Sequence, residues 1–176
     1  MENEQTKILK ALQFAIRMEV DGREFYRQAS QKSSNKLAKE LFQQLAEEED
    51  IHHKKFQEIY EALKRGQKWP DVEAPHNKAT KLKSIFVQAT RELGSKIKVA
   101  ESELEAIKTA MEMENKSYKF YHSQSEQDTL PAEKRFYQAV AAEEWEHHLA
   151  LLDSYEYLTD PTGWFTRKEH WSLDGA

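Results

Sequence analysis

"AEEEDIHHKKF" (46–56) and "AAEEWEHHLAL" (141–151) are near copies of one awkward phrase. Each places a run of acids and two adjacent histidines in a stretch whose apolar spacing is that of a helix burying one face. Sliding the chain along itself at an offset of 95 aligns residues 8–63 with 103–158 without a gap, and 18 of those 56 positions are identical. Among the identities are Ala15 with Ala110, Glu19 with Glu114, and Phe25-Tyr26 with Phe120-Tyr121. Glu48-Glu49 match Glu143-Glu144, and His52-His53 match His147-His148. The chain reads as a duplicated helical hairpin, with repeats at 8–63 and 103–158.

Working outward, each repeat resolves into two long helices. Ile8, Leu12, Ala15, Glu19, Gly22, Tyr26 and Ala29 recur at alternating steps of four and three, which predicts a helix over 4–31. "SSN" at 33–35 supplies N-cap residues for a second helix over 36–65, whose stripe runs Ala38, Phe42, Leu45, Glu49, His52, Phe56, Ile59 and Leu63 until Gly66 stops it. The connector, 66–96, opens on the turn-rich "GQKWPDVEAPHN", and "KLKSIFVQATREL" predicts a short extra helix before Gly94. The second repeat predicts helices over 97–126 (Ile107, Ala110, Glu114, Ser117, Tyr121) and 131–159 (Tyr137, Val140, Glu144, His147, Leu151, Leu158). Pro131 is tolerated in the first turn of the last one. The expected fold is all-α, a four-helix bundle of two hairpins occupying 1–160. An aromatic tail, 161–176, is expected to pack on the bundle or on a partner subunit through Trp164, Phe165 and Trp171.

Composition agrees and excludes other classes. A length of 176 residues asks for one core. Charged residues at 32% with only 5 Gly and 4 Pro favour long exposed helices over turn-rich β structure. Without cysteine there is no disulfide framework, thiolate metal site, iron-sulfur cluster or thiol nucleophile, and any metal must bind through oxygen and imidazole nitrogen. The opening "MENEQTKILK" lacks a signal-peptide pattern and no apolar run approaches a membrane span, so a soluble cytoplasmic protein is expected. A net charge of -5 with intermixed signs offers no basic face to nucleic acid.

Glu19, Glu49, His52, Glu114, Glu144 and His147 stand on the inward stripes, where Leu or Ile is expected. Burying one unpaired carboxylate costs several kcal/mol or forces its protonation, so four together cannot be left uncompensated. No Lys or Arg recurs on the stripes, whereas two divalent cations balance four carboxylates and leave the histidines as neutral ligands. Glu and His three apart project from one helix face, so each Glu-x-x-His can hold one metal while a neighbouring helix's Glu caps or bridges the pair, as in carboxylate-rich bundles. The competing reading is an acidic surface stripe with incidental histidines. Glu48 and Glu143, about 100° off the stripe by helical geometry, are expected to be rim groups or supports for the ligands, and not ligands themselves. His53 and His148 also lie within reach of the Glu face, four residues on, and stay open as alternatives to His52 and His147. Glu169 and His170 are a weak metal pair, and His76 and His122 show no partner pattern.

"AIRMEVDGREFY" with "EEEDIHH", and "AMEMENKSYKFY" with "EEWEHH", together resemble the rubrerythrin-like branch of the ferritin-like di-iron proteins. The resemblance spans about 1–160 and implies a ferritin-like bundle whose metal ligands are Glu19, Glu49, His52, Glu114, Glu144 and His147. Tyr26 and Tyr121 fall on tyrosines beside the site, either as packing aromatics or as second-sphere catalytic groups that hydrogen-bond a ligand or supply an electron. It implies two iron ions, with manganese able to use the same ligands. It further implies reduction of hydrogen peroxide or O2 in defence against oxidative stress, an external electron donor such as a rubredoxin-like protein, and a homodimer. Two departures stand out. The paired cysteines of a rubredoxin-like domain are missing, and the extra third-helix Glu has no counterpart, since Met111 and Ser117 flank Glu114 at that spacing. The alternatives are ferrous oxidation for iron handling, as in ferritins, and a metal-free helical interaction module.

Overall fold

The computed structural model describes residues 3–73, 79–127 and 130–173, with the side chains of 79 and 168–173 outside the description. Among the described residues there are six helices and no strand: α1 (Glu4–Lys32), α2 (Lys36–Lys64), α3 (Ala79–Leu93), α4 (Glu101–Gln127), α5 (Pro131–Thr159) and α6 (Pro161–Leu173). No helix among them is long and apolar enough to cross a membrane.

The hairpin ends follow local chemistry. Asn3 and Asn35 cap α1 and α2, their side chains accepting from the Gln5 and Ala38 amides. Gly66 and Gly94 adopt φ of 75° and 61° just past α2 and α3, the left-handed turn that glycine takes without steric cost. Helix α4 begins at Glu101, four residues later than the periodicity predicts. The reason is Glu103, whose buried carboxylate accepts from the Ala100 amide at 3.0 Å and from the Ser34 and Asn35 amides at 2.7 and 2.8 Å. That side chain caps α4 and binds its start to the α1–α2 turn, leaving 97–100 outside the helix.

Helices α1 and α2 form one hairpin and α4 and α5 the other; the hairpins meet through α1 on α4 and α2 on α5. Connector helix α3 lies across α2 and α5, pinned by Lys81–Glu47 and Lys83–Glu146 ion pairs. Leu82, Phe86 and Ala89 are its buried contribution. The tail folds back as α6, where Trp164 packs edge-on against Phe86 and Tyr157, with Phe165 beside Tyr157. Trp171, Glu169 and His170 lie outside the described side chains, and His76 outside the described residues.

Two apolar clusters occupy the bundle. One joins Tyr26, Leu37, Leu41, Phe42, Leu45, Ile107, Ala110, Leu151 and Tyr157; the other joins Leu12, Ala15, Phe56, Ile59, Tyr121, Phe136 and Val140. The first therefore gathers the C-terminal half of α1 with the N-terminal half of α4, so α1 runs antiparallel to both α2 and α4. Burying a large side chain such as Phe56 contributes about 1.5–3 kcal/mol. Between the clusters each long helix passes through one short polar layer: Glu19, Glu48 to His52, Glu114, and Glu143 to His147.

Candidate metal centre

The apolar residues above and below that layer force its carboxylates inward. Glu19, Glu114 and Glu144, with both histidines, are at most 2% exposed, and Glu49 is 5% exposed. They converge in two overlapping groups, Glu19/Glu49/His52/Glu144 and Glu49/Glu114/Glu144/His147, each offering ligand atoms within 4.8 Å of one another. Glu49 and Glu144 belong to both groups; the others belong to one. The duplication appears here as a pseudo-two-fold relation, because the histidine and tyrosine contacts made between the two repeats have counterparts offset by 95 residues. The His52 and His147 rings lie face to face, 5.9 Å apart.

The orientation of each histidine follows from its partners. Nε2 of His52 lies 2.7 Å from Glu143 Oε2, and Nε2 of His147 lies 2.7 Å from Glu48 Oε2. An ionised carboxylate only accepts, so Nε2 carries the hydrogen and Nδ1 faces the centre of the layer. There His52 Nδ1 stands 3.4 Å from Glu19 and 3.2 Å from Glu144, while His147 Nδ1 stands 3.2 Å from Glu144, 3.6 Å from Glu114 and 3.7 Å from Glu49. The tyrosines cross in the same way: the Tyr26 hydroxyl donates to Glu114 Oε1 and the Tyr121 hydroxyl to Glu19 Oε1. Each ties a carboxylate of the opposite hairpin and turns its other oxygen inward.

Glu19 Oε2, Glu49 Oε1, Glu144 Oε1 and both Nδ1 atoms are buried without a hydrogen-bond partner. Buried polar atoms are ordinarily satisfied. Five unsatisfied ones aimed into a single layer form a donor set that could hold a cation, and an oxygen and imidazole set suits iron, manganese or zinc. The residues present therefore fit a dinuclear metal centre.

With protein groups alone the layer compensates its charge by holding protons. Burial opposes a charged His52, but its bonds to Glu143, Glu144 and Glu19 outweigh that and raise its pKa well above the usual imidazole range. His147 is raised against the same burial by Glu114, Glu144 and Glu48. Burial, then repulsion from Glu19, Glu144 and Glu114, pushes Glu49 well up. Burial and the Glu144 charge push Glu114 up to about 8. Glu144 goes the other way, because bonds from both histidines overcome its burial. Glu48 is likewise lowered by His147 and Gln44 against burial. Burial and neighbouring carboxylates keep Tyr26 and Tyr121 protonated well above their usual range.

All six stripe residues named from the sequence meet in this layer, with the two tyrosines beside it. His53 and His148 fall outside both groups; His148 sits 3.1 Å from the Met111 carbonyl and stacks on Trp145. Glu48 and Glu143 hold the histidines from behind, each serving the opposite repeat. Gln44, which donates to Glu48 at 2.6 Å, escaped the sequence reading, although its place four residues before Glu48 was a signal available there. Gly22, named from the sequence only as a stripe residue, makes room for a ligand, since a Cβ on it would come within 3.0 Å of Glu49 Oε2.

Comparison with known proteins adds a family. The profile described as Rubrerythrin matches residues 10–156, a stretch that holds both hairpins, the connector helix and the whole polar layer. No curated protein and no solved structure matches the chain. With most of its length covered, including every residue of the site, the chain belongs to the rubrerythrin family.

Proposed function

We propose that Glu19, Glu49, His52, Glu114, Glu144 and His147 hold two iron ions, and that the protein is an oxidoreductase reducing hydrogen peroxide with electrons from an external carrier. The observation that carries this reading is the convergence of five unsatisfied buried ligand atoms on two positions sharing Glu49 and Glu144. When bound, two ferrous ions supply the two electrons that convert one H2O2 and two protons into two waters, and the carrier returns them.

The chain's own residues do the rest. Glu49 and Glu144, common to both groups, would serve both ions, with Glu19 and His52 completing one set and Glu114 and His147 the other. Glu143 and Glu48 keep each imidazole turned with Nδ1 inward. Tyr26 and Tyr121 fix the terminal carboxylates and hold protons on their hydroxyls beside the reacting centre. The apolar clusters on either side keep bulk water out of the layer. With no cysteine among the 176 residues, electrons must come from another centre, so a rubredoxin-like carrier is the proposed partner.

A second reading, ferrous oxidation by O2 for iron handling, is favoured by one observation. Met111 and Ser117, which flank Glu114 at the spacing where the resemblance would place a further glutamate, add no carboxylate to either group. The oxidant separates the two. After anaerobic loading with ferrous iron to about two ions per chain, stopped-flow oxidation faster by at least tenfold with H2O2 than with O2 supports the peroxidase. The reverse preference supports iron oxidation. The Glu49→Ala, Glu144→Ala double variant should hold no iron and show neither reaction; a folded double variant that keeps iron and turnover overturns both.

A further inference from the structure

The duplication breaks at one place behind the polar layer. In the second repeat's set, His147 bonds Glu48 Oε2 at 2.7 Å, and Gln44 Nε2 donates to the other oxygen, Glu48 Oε1, at 2.6 Å. The carboxylate is held at both ends. In the first repeat's set, His52 bonds Glu143 Oε2 at the same 2.7 Å, but Ala139 stands where the duplication places Gln44's counterpart. Glu143 Oε1 is buried with no hydrogen-bond partner. Two chemically identical histidine positions thus have unequal support: a Gln–Glu–His chain on one side, and a Glu–His pair with a loose end on the other.

We propose that Gln44 makes the two positions unequal, so that a divalent cation is held more tightly beside His147 than beside His52. The inference rests on the layer being a metal centre. A ligand imidazole binds well when its ring is already aimed, and the group accepting its Nε2 hydrogen sets that aim. Glu48 cannot swing without breaking its bond to Gln44, so the His147 ring stays in register. Glu143 can rotate about its terminal torsion toward any donor that would satisfy Oε1, and the His52 ring follows it. An opposing effect is that donation from Gln44 draws charge from Glu48 and weakens it as an acceptor. It is the smaller one, since Gln44 and His147 bond different oxygens of a carboxylate that accepts about four hydrogen bonds. Glu144 belongs to both groups and stands 3.2 Å from each Nδ1, so it favours neither position. Gln44 is a positioning residue: it belongs to neither ligand group.

The test is a titration of metal-free protein with zinc, a diamagnetic probe, followed through the ring 15N signals of His52 and His147 and by calorimetry. In the wild type the His147 signals should move during the first equivalent and those of His52 during the second. Gln44→Met, close in shape but without a donor, should weaken the first step by about tenfold or more. In the Gln44→Met, Ala139→Gln double variant the order of filling should reverse, Ala139 being partly exposed and able to accept a longer side chain. Unchanged circular dichroism and melting of the metal-free variants separates positioning from misfolding. Simultaneous movement of both rings in the wild type, His52 moving first, or an unreversed order in the double variant overturns the inference while leaving the metal centre intact. Zinc that moves neither ring and leaves the melting temperature unchanged overturns the inference and the metal-centre reading together.

Discussion

The two hairpins share every candidate ligand of the polar layer and diverge over much of the rest. Arg23 and Asp50 form a 2.7 Å ion pair on the outside of the first. The duplication places Tyr118 and Trp145 at those positions in the second, with their rings 5.3 Å apart. Inside, each repeat contributes the same Glu, Glu and His, and each lends a Tyr and a Glu to the other's set. The difference teaches what the layer tolerates. Outward contacts between neighbouring helices can be ionic or aromatic, because each needs only local complementarity. Inward groups cannot drift separately, because a buried carboxylate is stable only with partners from the opposite half.

The largest effects should come from breaking that reciprocity one ligand at a time. Glu19 and Glu114 each belong to a single group, whereas Glu49 serves both. Glu19→Ala and Glu114→Ala should each lower bound iron from about two ions per chain to about one, and Glu49→Ala should weaken both. Elemental analysis after anaerobic loading checks this. If Glu19→Ala alone empties the protein, the two positions are not separable and the comparison of halves fails at the site.

How far this arrangement could be read beforehand depended on the kind of contact. The inward placement of the six residues was legible because the same charged residues recur at stripe positions in both repeats, and both hairpins because the same stripe appears twice. The connector helix was legible between its turn-rich start and Gly94. The start of α4 was not, because it depends on Glu103 reaching the α1–α2 turn some seventy residues away in sequence. Which half each tyrosine and outer glutamate serves was not legible either, since a stripe says which way a residue points and not which helix it meets. Gln44 went unread because the periodic argument weighs each helix by its stripe, and Gln44 lies one residue off it, with an alanine at its duplicate.

A smaller effect is expected from the protons the layer holds when free of metal. His52, His147, Glu49 and Glu114 all have folded pKa values raised above their unfolded ones, with Glu114 at about 8. Each contributes stability that is complete below its unfolded pKa and lost as pH rises through its folded pKa. Chelator-treated protein should therefore lose stability as pH rises from about 5 to beyond 8, by roughly 1.4 kcal/mol per pH unit for each extra proton held. Glu144 and Glu48, lowered, act in the other window, losing their contribution as pH falls below about 4.5. Urea midpoints at pH 5.5, 7 and 8.5 measure the slope, and Glu114→Gln, which mimics the protonated acid, should flatten it. Metal loading should invert it, because cations displace those protons. A flat profile in the metal-free wild type would break the picture of a layer neutralised by shared protons.

The smallest effects belong to the outer pairs, and they sharpen the contrast by their response to salt. Asp50 is held down to about 2 by hydrogen bonds from Lys54 and then Arg23, so it contributes stability above its unfolded pKa and loses it only as pH falls through about 2. The pair is partly exposed, with side-chain exposures of 22% and 25%, and solvent screening limits it to less than about 1 kcal/mol. Trp145 stacks on His148 at 5.2 Å as well as meeting Tyr118, and aromatic pairs of this kind contribute roughly 0.5–1.5 kcal/mol that does not depend on ionic strength. Trp145→Ala should therefore cost more than Asp50→Asn at low salt. At about 1 M salt, where the Debye length shrinks to about 3 Å, the Asp50→Asn cost should nearly vanish while the Trp145→Ala cost persists. Equal salt dependence of the two variants would mean that the outer faces of the hairpins are held by the same force after all, and that the divergence between Arg23–Asp50 and Tyr118–Trp145 has no energetic content.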